Sequence, residues 1–426
     1  MDTGYSTKSL RLLAVSTLAA LGLSALLGAA QAHAHGAAAA SSKDVAGSAA
    51  RARQIEFPDV AGYQTLVTDL HSHSVFSDGH VWPKIRIEEA LRDGLDGFAV
   101  TEHLEYQPHL ADIPHPDRNR AYVEAAAAAK GTDLLVIAGS EITRDLPAGH
   151  INAIFVTDAN ALIQVQAPKA DAAPAPQWAP GDVGALYRDA AQWPPEQAVA
   201  AANDQGAFVF INHPDWPRQR SNGLAKLTPL QKRLIKAGQL HGIEIANGQG
   251  FSAEALAIGL KHNLALLGTS DVHDLIDWDY PPSEGAHRPV TLVFAEEQTI
   301  GGMRDALAAR RSVVWFKNQL IGRPAVLQPL LEASLTLEAA RWQPDADIVA
   351  VTLKNHSDAH FELRNLTRLS FGESAARIAV PAHGELTFTV KPGRRVKELT
   401  LRFEVENALT APGEYPQLRF ELPLAD

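Results

Sequence analysis

The chain contains no cysteine. Disulfides, thiolate nucleophiles and thiolate–metal sites are therefore excluded, and any transition metal must be held by histidine and carboxylate. An excess of positive charge is also lacking: 38 Lys and Arg stand against 49 Asp and Glu, a formal net charge of −11. Such a chain has no field to gather polyanions, which argues against a general nucleic-acid binder. A small phosphorylated substrate is still compatible with it, because bound cations reverse the local sign. Charged residues are only 20% of the chain, too few for general disorder, while 46% is hydrophobic, enough for a sizeable core. At 426 residues the chain is too long for one ordinary domain and suits two.

Long apolar runs are scarce, with one exception. Lys8 and Arg11 precede a run from Leu12 to Ala30, and Ala30-Gln31-Ala32 then reads as a small-x-small cleavage pattern, with a second cut available after Ala34. This predicts a secretory signal peptide and cleavage region over residues 1–36, hence a periplasmic or extracellular protein. The alternative is an N-terminal membrane anchor that stays uncleaved. No other stretch is long enough to span, so no stable membrane span is expected after cleavage. Absence of cysteine is neutral here, since export permits disulfides without requiring them. Residues 37–54, rich in Ala, Ser and Lys/Arg, read as a linker.

From about Gln64 short apolar runs alternate with helical stretches. Strands are expected at Leu66–Leu70, Gly97–Thr101, Leu134–Ala138, Ala207–Ile211, Gly242–Ala246, Leu264–Leu267 and Val290–Phe294, and an extra run, Ile151–Val156, interrupts the alternation. Strands separated by helical crossovers mean a parallel α/β sheet or barrel, here over residues 55–330. A Pro/Ala-rich interlude at about 159–193 reads as an insertion, either a lid or a plain surface loop. From about Glu332 apolar and polar residues alternate along Ile348–Leu353, Leu366–Phe371, Glu385–Val390, Glu398–Val405 and Leu418–Leu422. With Pro-Gly turn signals between them, residues 331–426 are expected to form a small antiparallel, Ig-like sandwich. It holds no catalytic cluster, and its His356, His360 and His383 read as surface histidines.

The chemistry lies where the strands end. Leu66–Leu70 runs into His71-Ser72-His73, and an H-x-H at a strand end sends both imidazoles to one side because side chains alternate. Paired imidazoles suit a divalent metal of the zinc, manganese or iron kind. Asp78 follows in the turn Ser77-Asp78-Gly79. The pattern recurs: His103 after the second strand, Glu141 after the third, His150 opening the extra run, His213 after the next, and Asp271 and His273 after Leu264–Leu267. In parallel α/β barrels the C-terminal strand ends converge on one mouth, so ligands far apart in sequence would meet there.

These residues resemble a known family. Asp69-Leu70-His71-Ser72-His73-Ser74 with Ser77-Asp78-Gly79 resembles the first motif of the PHP (polymerase and histidinol phosphatase) family, and Thr101-Glu102-His103 its second. Gly139-Ser140-Glu141, Asn212-His213-Pro214 and Ser270-Asp271-Val272-His273 resemble further motifs, and all nine ligand positions of the family are filled. The resemblance implies a distorted seven-stranded (β/α) barrel with two or three divalent ions that hydrolyses phosphoesters. By that resemblance one ion takes His71, His73, Glu141 and Asp271, a second shares Glu141 with His150 and His213, and a third takes Asp78, His103 and His273. Glu141, Asp271 and His273 would carry the catalysis. Two departures stand out: Glu102 replaces the usual Asp, which should alter hydrogen bonding to His103, and Asn212 replaces a small residue.

Other polar groups could reach the mouth. Arg118, Arg120, Arg144 and Arg218 are candidates to grip a phosphate in a bidentate fork, with Arg220, His287 and Arg288 further along. Trp82, Trp216 and Trp278 lie close in sequence to the metal motifs and are candidates for its walls. Two readings compete with a phosphoesterase. One is an amidohydrolase-type barrel, which also opens with H-x-H but commonly bridges its metals with a carboxylated lysine. The other is a non-catalytic metal-binding or interaction protein, which has no need of nine ligands.

Overall fold

In the computed structural model the described residues are 54–109, 112–113, 116–163, 190–374 and 376–424. The expected signal peptide, nearly all of the linker and most of the Pro/Ala-rich insertion lie outside them. The first part of the fold comprises β1 (Gln64–Asp69), α1 (Pro83–Arg92), β2 (Gly97–Val100), α2 (Arg120–Ala128), β3 (Leu135–Ile142), β4 (Ile151–Ile154), α3 (Pro195–Asp204), β5 (Phe208–Ile211) and α4 (Pro229–Lys236). It continues through β6 (Gly242–Asn247), β7 (Gly250–Phe251), α5 (Ala253–Lys261), β8 (Ala265–Thr269), α6 (Ile276–Asp279), β9 (Val290–Ala295), α7 (Ile300–Ala308), β10 (Ser312–Phe316) and β11 (Gln319–Gly322).

Strands β2, β4, β5, β8, β9 and β10 are buried along their whole length, which their continuous apolar runs require of a sheet covered on both faces. Pairing is parallel for β1–β2, β2–β3, β5–β6 and β6–β8. It is antiparallel for β3–β4 and β4–β5, because the loop joining β3 to β4 is too short to carry a crossover helix. β9 also runs antiparallel to β1, so the barrel is not a strict repeat of seven parallel strands. The curled sheet closes where β8 meets β9 and β10. Gly268 N donates to Thr291 Oγ1, whose hydroxyl donates back to Gly268 O, both at 2.9 Å. Ser312 Oγ donates to Leu266 O at 2.9 Å. A Cβ on Gly268 would lie 2.4 Å from Val314, so this approach needs glycine.

Helix α8 (Pro324–Ser334) runs straight into β12 (Leu335–Trp342). There follow β13 (Val349–Asn355), β14 (Phe361–Asn365), β15 (Ser370–Phe371), β16 (Arg377–Val380), β17 (Glu385–Lys391), β18 (Glu398–Val405), β19 (Ala408–Leu409) and β20 (Gln417–Pro423). All but β19 form two four-stranded antiparallel sheets, in the orders β12-β13-β17-β15 and β16-β14-β18-β20. Alternate residues of β13 and β20 are buried, and Phe371, Phe388, Phe403 and Phe420 meet in the middle, as in a sandwich. The expected strand Leu366–Phe371 is largely a turn instead. Asn365 Oδ1 accepts from Thr367 N at 2.8 Å and Thr367 Oγ1 at 2.7 Å, an Asx turn that ends β14 and leaves only Ser370–Phe371 to pair.

The sandwich is joined to the barrel by more than a linker. β19 adds in parallel to β11, with Leu320 opposite Ala408 and Ile321 opposite Leu409. Asn407 Nδ2 donates to Asn318 O (3.0 Å) and His360 O (2.8 Å), and His360 N donates to Asn318 Oδ1 (2.8 Å). One apolar cluster runs from Val67, Phe98 and Leu327 of the barrel to Val351, Phe361 and Phe403 of the sandwich.

Candidate metal centre

The loop after β1 and the loop after β8 are laced together by the backbone. Asp271 N donates to His71 O at 3.0 Å and His73 N donates to Val272 O at 3.1 Å. Beneath them the Asp69 carboxylate takes Ser270 N (3.0 Å) and Ser270 Oγ (2.6 Å), so this acid anchors the later motif and is not a ligand. Asp271 sits at φ = 52°, a left-handed conformation costly for a residue with a Cβ, and held here by those bonds.

All nine expected ligands converge. Glu141, buried near the end of β3, stands at the centre: Oε1 is 2.6 Å from His150 Nδ1 and 3.7 Å from His213 Nε2. Its Oε2 is 2.7 Å from His103 Nδ1, 3.3 Å from His73 Nε2 and 3.6 Å from His71 Nε2. Asp271 Oδ1 is 3.1 Å from the Nε2 atoms of both His71 and His73. Asp78 Oδ1 lies 3.2 Å from His103 Nε2 and 3.1 Å from His273 Nε2. Three groups have donor atoms within 4.8 Å of one another: His73, Asp78, His103 and His273; His71, His73 and Asp271; His103, Glu141 and His150. This proximity grouping differs from the one the resemblance implies: His73 joins the third group as well as the first, His103 joins Glu141 and His150, Glu141 falls outside the first group, and His213 lies in none. His103 faces two ways, with Nδ1 toward Glu141 and Nε2 toward Asp78, and so touches more than the third group.

The donor set fits divalent ions. Both oxygens of Glu141, Asp78 Oδ1 and His150 Nδ1 are buried without a hydrogen bond of acceptable geometry. Desolvated polar atoms of that kind are costly unless an ion completes them. Nitrogen and oxygen donors without sulfur suit manganese, zinc or iron. Burial opposes charge on Asp271, but His71 and His73 outweigh it and hold the carboxyl well below the usual range. Burial likewise opposes charge on Asp78 and on Glu141, and neighbouring histidines again prevail: His103 and His273 for Asp78, His103 and His150 for Glu141. Three anions therefore stand ready at neutral pH.

Further residues orient these ligands. Glu244, in β6, is 1% exposed, and sequence reasoning did not single it out. Its Oε1 accepts from His71 Nδ1 and from Thr269 Oγ1, each at 2.7 Å, while Oε2 accepts from His213 N (2.7 Å) and Asn247 Nδ2 (2.9 Å). The carboxylate thus keeps the His71 proton on Nδ1 and leaves Nε2 free for a metal. The available signal was an acid inside the apolar run Gly242-Ile243-Glu244-Ile245. Glu102 acts elsewhere than expected. It accepts from Ser74 N and Oγ and from Ser77 Oγ (2.5 Å), and Ser77 Oγ contacts His73 Nδ1 at 3.2 Å, so it serves His73 and not His103. Asn212 Oδ1 accepts from Asn152 N at 3.1 Å, tying the loop after β5 to β4.

The ligands floor an open cavity of about 580 Å³, with Tyr106, Trp216, Arg218 and Gln219 on its walls. The Trp216 ring lies 5.2 Å from that of His150 and 5.3 Å from that of His213, with the Arg218 guanidinium 5.5 Å above it. Of the other arginines, Arg144 is buried beside Glu105 at 2.8 Å, and burial pushes the Glu105 carboxyl up to about 7. Arg118 Nε donates to Leu104 O, Arg120 pairs with Glu124, and Arg220 donates to Lys226 O. Arg288 is wholly buried between Asp93 and Asp69, which removes it as a substrate contact. His287 stacks flat on Trp315 and lines a second cavity. Trp82 packs edge-on against Phe76, and Trp278 is 70% exposed.

Eight clustered nitrogen and oxygen donors at the barrel mouth, with His213 beside Glu141 and Asp271 and a cavity open to solvent, define a metal-dependent hydrolase. The comparisons with known proteins agree. The chain is similar to a two-domain protein from Bacteroides vulgatus that contains a predicted PHP-like metal-dependent phosphoesterase, at 35% identity and a TM-score of 0.75, over 87% of this chain and 98% of that one. An amidohydrolase from Chromobacterium violaceum with bound sulfate and no metal shares 20% identity over 49% of this chain and 87% of its own, with a TM-score of 0.31, too low to carry an argument. The Ig-like domain family matches residues 335–421. No curated protein matches the chain. The chain belongs to the PHP family, in a two-domain form that ends in an Ig-like domain.

Proposed function

We propose that this protein is an exported phosphoesterase that hydrolyses small phosphorylated substrates with two or three divalent ions of manganese, zinc or iron. The observation that carries the reading is Glu141, a buried carboxylate whose two oxygens face different histidines, His150 on one side and His103 on the other. Glu141 would serve as the bridge for which amidohydrolases commonly use a carboxylated lysine. Ions held there would neutralise the non-bridging oxygens of a phosphoester and lower the pKa of water for in-line attack. The chain's own groups supply the rest. Glu141 and Asp271 hold negative charge at fixed points among the imidazoles, and Glu244 keeps His71 in the tautomer that presents Nε2. Side-chain exposure is 33% at His273 and 28% at Asp78, against 7% at His103 and 0% at Glu141, so substrate enters from the His273 side. Arg218, seated on Trp216 at the cavity wall, would grip a phosphate oxygen.

Export rests on the apolar run Leu12–Ala30 behind Lys8 and Arg11. Among the described residues no helix is long and apolar enough to cross a membrane. A screen of p-nitrophenyl phosphate and bis(p-nitrophenyl) phosphate with each metal tests the chemistry. Turnover of at least one is expected, with Arg218→Ala raising KM about tenfold while kcat changes little. Hydrolysis of amides or lactones with no phosphoester turnover under any metal would overturn the reading. Elemental analysis should find two to three ions per chain, and N-terminal sequencing a mature start near His33 or His35.

A further inference from the structure

A buried cation that does not line the cavity holds the backbone of the ligand loops and contacts no ligand side chain. Arg86, in the first turn of α1, is 2% exposed. Its Nε donates to His73 O at 2.9 Å, its Nη1 to Asp274 O at 2.6 Å and its Nη2 to Val272 O at 3.3 Å. The remaining bond joins Nη1 to Glu89 Oε2 at 2.8 Å, and Glu89 Oε1 in turn accepts from Ile276 N at 2.9 Å. The three carbonyls belong to a ligand, His73, and to the two residues that flank another ligand, His273. One planar guanidinium therefore ties the loop after β1 to the loop after β8, although they lie far apart in the chain.

We propose that Arg86 is a positioning residue of the metal centre, which sets the spacing between His73 and His273 through the backbone on either side of them. The proposal rests on the metal reading above. Metal ligands tolerate errors of only about 0.2 Å, whereas two loops laced by a few amide bonds can slide by more. Both His73 and His273 belong to the group that includes Asp78 and His103, so their separation decides whether that group closes on an ion. Only a fork of fixed donors reaches three carbonyls and a carboxylate at once. A lysine ammonium offers one point charge on a flexible stem. Glu89 completes the device: it balances the buried charge and binds the backbone just past His273.

The test uses the full chain, stripped of metal, with Mn²⁺ as the probe. Two variants are compared with the native protein: Arg86→Lys, and Arg86→Met combined with Glu89→Gln. The double variant leaves no unpaired buried charge and keeps an acceptor for Ile276 N. Thermal unfolding of the metal-free proteins reports the fold, and Mn²⁺ titration calorimetry reports the sites. The native protein should bind at least two ions. Both variants should fold without metal, and the sites that use His73 and His273 should weaken about 10- to 100-fold. A site built on Glu141, His150 and His213 should keep its affinity, because Arg86 touches none of its residues. The Mn²⁺ concentration for half-maximal turnover of Arg86→Lys should rise by a similar factor, with kcat near native at saturation. Native affinity at every site in both folded variants would overturn the proposal. Failure of both variants to fold would overturn it too, by assigning Arg86 to the fold. A native protein that binds no Mn²⁺ would instead sink the metal reading itself.

Discussion

Replacing Glu244 by glutamine should impair the centre although Glu244 is no metal ligand. Glutamine keeps the shape but exchanges one acceptor oxygen for a donor NH₂ group. All four contacts of Glu244 come from donors, two on each oxygen. If the NH₂ faces His71 and Thr269, the threonine hydroxyl can turn, but His71 must accept at Nδ1. Its proton then moves to Nε2, the atom that faces Asp271 and Glu141, and metal binding there is blocked. If the NH₂ faces the other way, Asn247 can flip its amide, but the His213 N–H cannot, and a part-buried backbone bond to a charged group is lost. That bond is worth about 1.5–3 kcal/mol. Either way metal affinity should fall about 10- to 100-fold. Urea unfolding of the metal-free variant and Mn²⁺ titration measure the two effects separately. A Glu244→Gln protein within about 0.5 kcal/mol of native stability, and with native Mn²⁺ affinity, would refute the tautomer argument.

Glu141→Gln should lose more than one ion and nearly all turnover, since the same carboxylate faces two sides of the centre. His103→Ala should weaken two sites, not one, because its imidazole touches both Glu141 and Asp78; elemental analysis and kcat on the two variants check both statements. A chain ending at Ser334 should fail to give a soluble folded monomer, since the apolar cluster continues into the sandwich; a compact truncation with a full metal complement would contradict this. Burial pushes His287 down to about 4, with Nδ1 donating to Arg288 O and Nε2 accepting from Asn318 N–H. The unfolded chain takes this proton near pH 6.5 and the native chain only near 4, so stability present above 6.5 is lost as pH falls through that window, by at most about 3 kcal/mol. Urea midpoints of the His287→Phe variant should show a shallower acid slope than native protein.

The nine ligands were legible because most follow an apolar run that ends abruptly, and a strand end fixes direction as well as position; His150 precedes its run and Asp78 sits in the turn after His73. What orients them was not legible. Glu244 reads as an ordinary acid until the loops after β1 and β5 bring His71 and His213 to it, and Glu102 adjoins His103 in sequence but serves His73 in space. Arg86 and Arg288 look like helix and loop charges, yet both are buried because carbonyls or carboxylates from distant loops surround them. The sequence did not tell the tryptophans apart: Trp216, just after His213, reaches the wall, whereas Trp278, a little further past His273, turns to solvent. Among the strands, the error at Leu366–Phe371 came from weighing apolar alternation above the Asx turn at Asn365. The antiparallel course of β9 has no local signature, because Val290–Ala295 is buried on both faces whichever way it runs.

The lacing of the loops after β1 and β8 also bears on when the protein can acquire its metals. Asp69 and Ser270 stand 201 positions apart, and the closing strand β9 pairs with the opening strand β1. Joining them demands closure of a very long loop, a slow event that comes after local hairpins and helices have formed. Until then His71 and His73 have no Asp271 opposite them, and no partly folded chain carries that group. An ion held between these three residues would thus be captured late, from the surroundings in which the last strand docks.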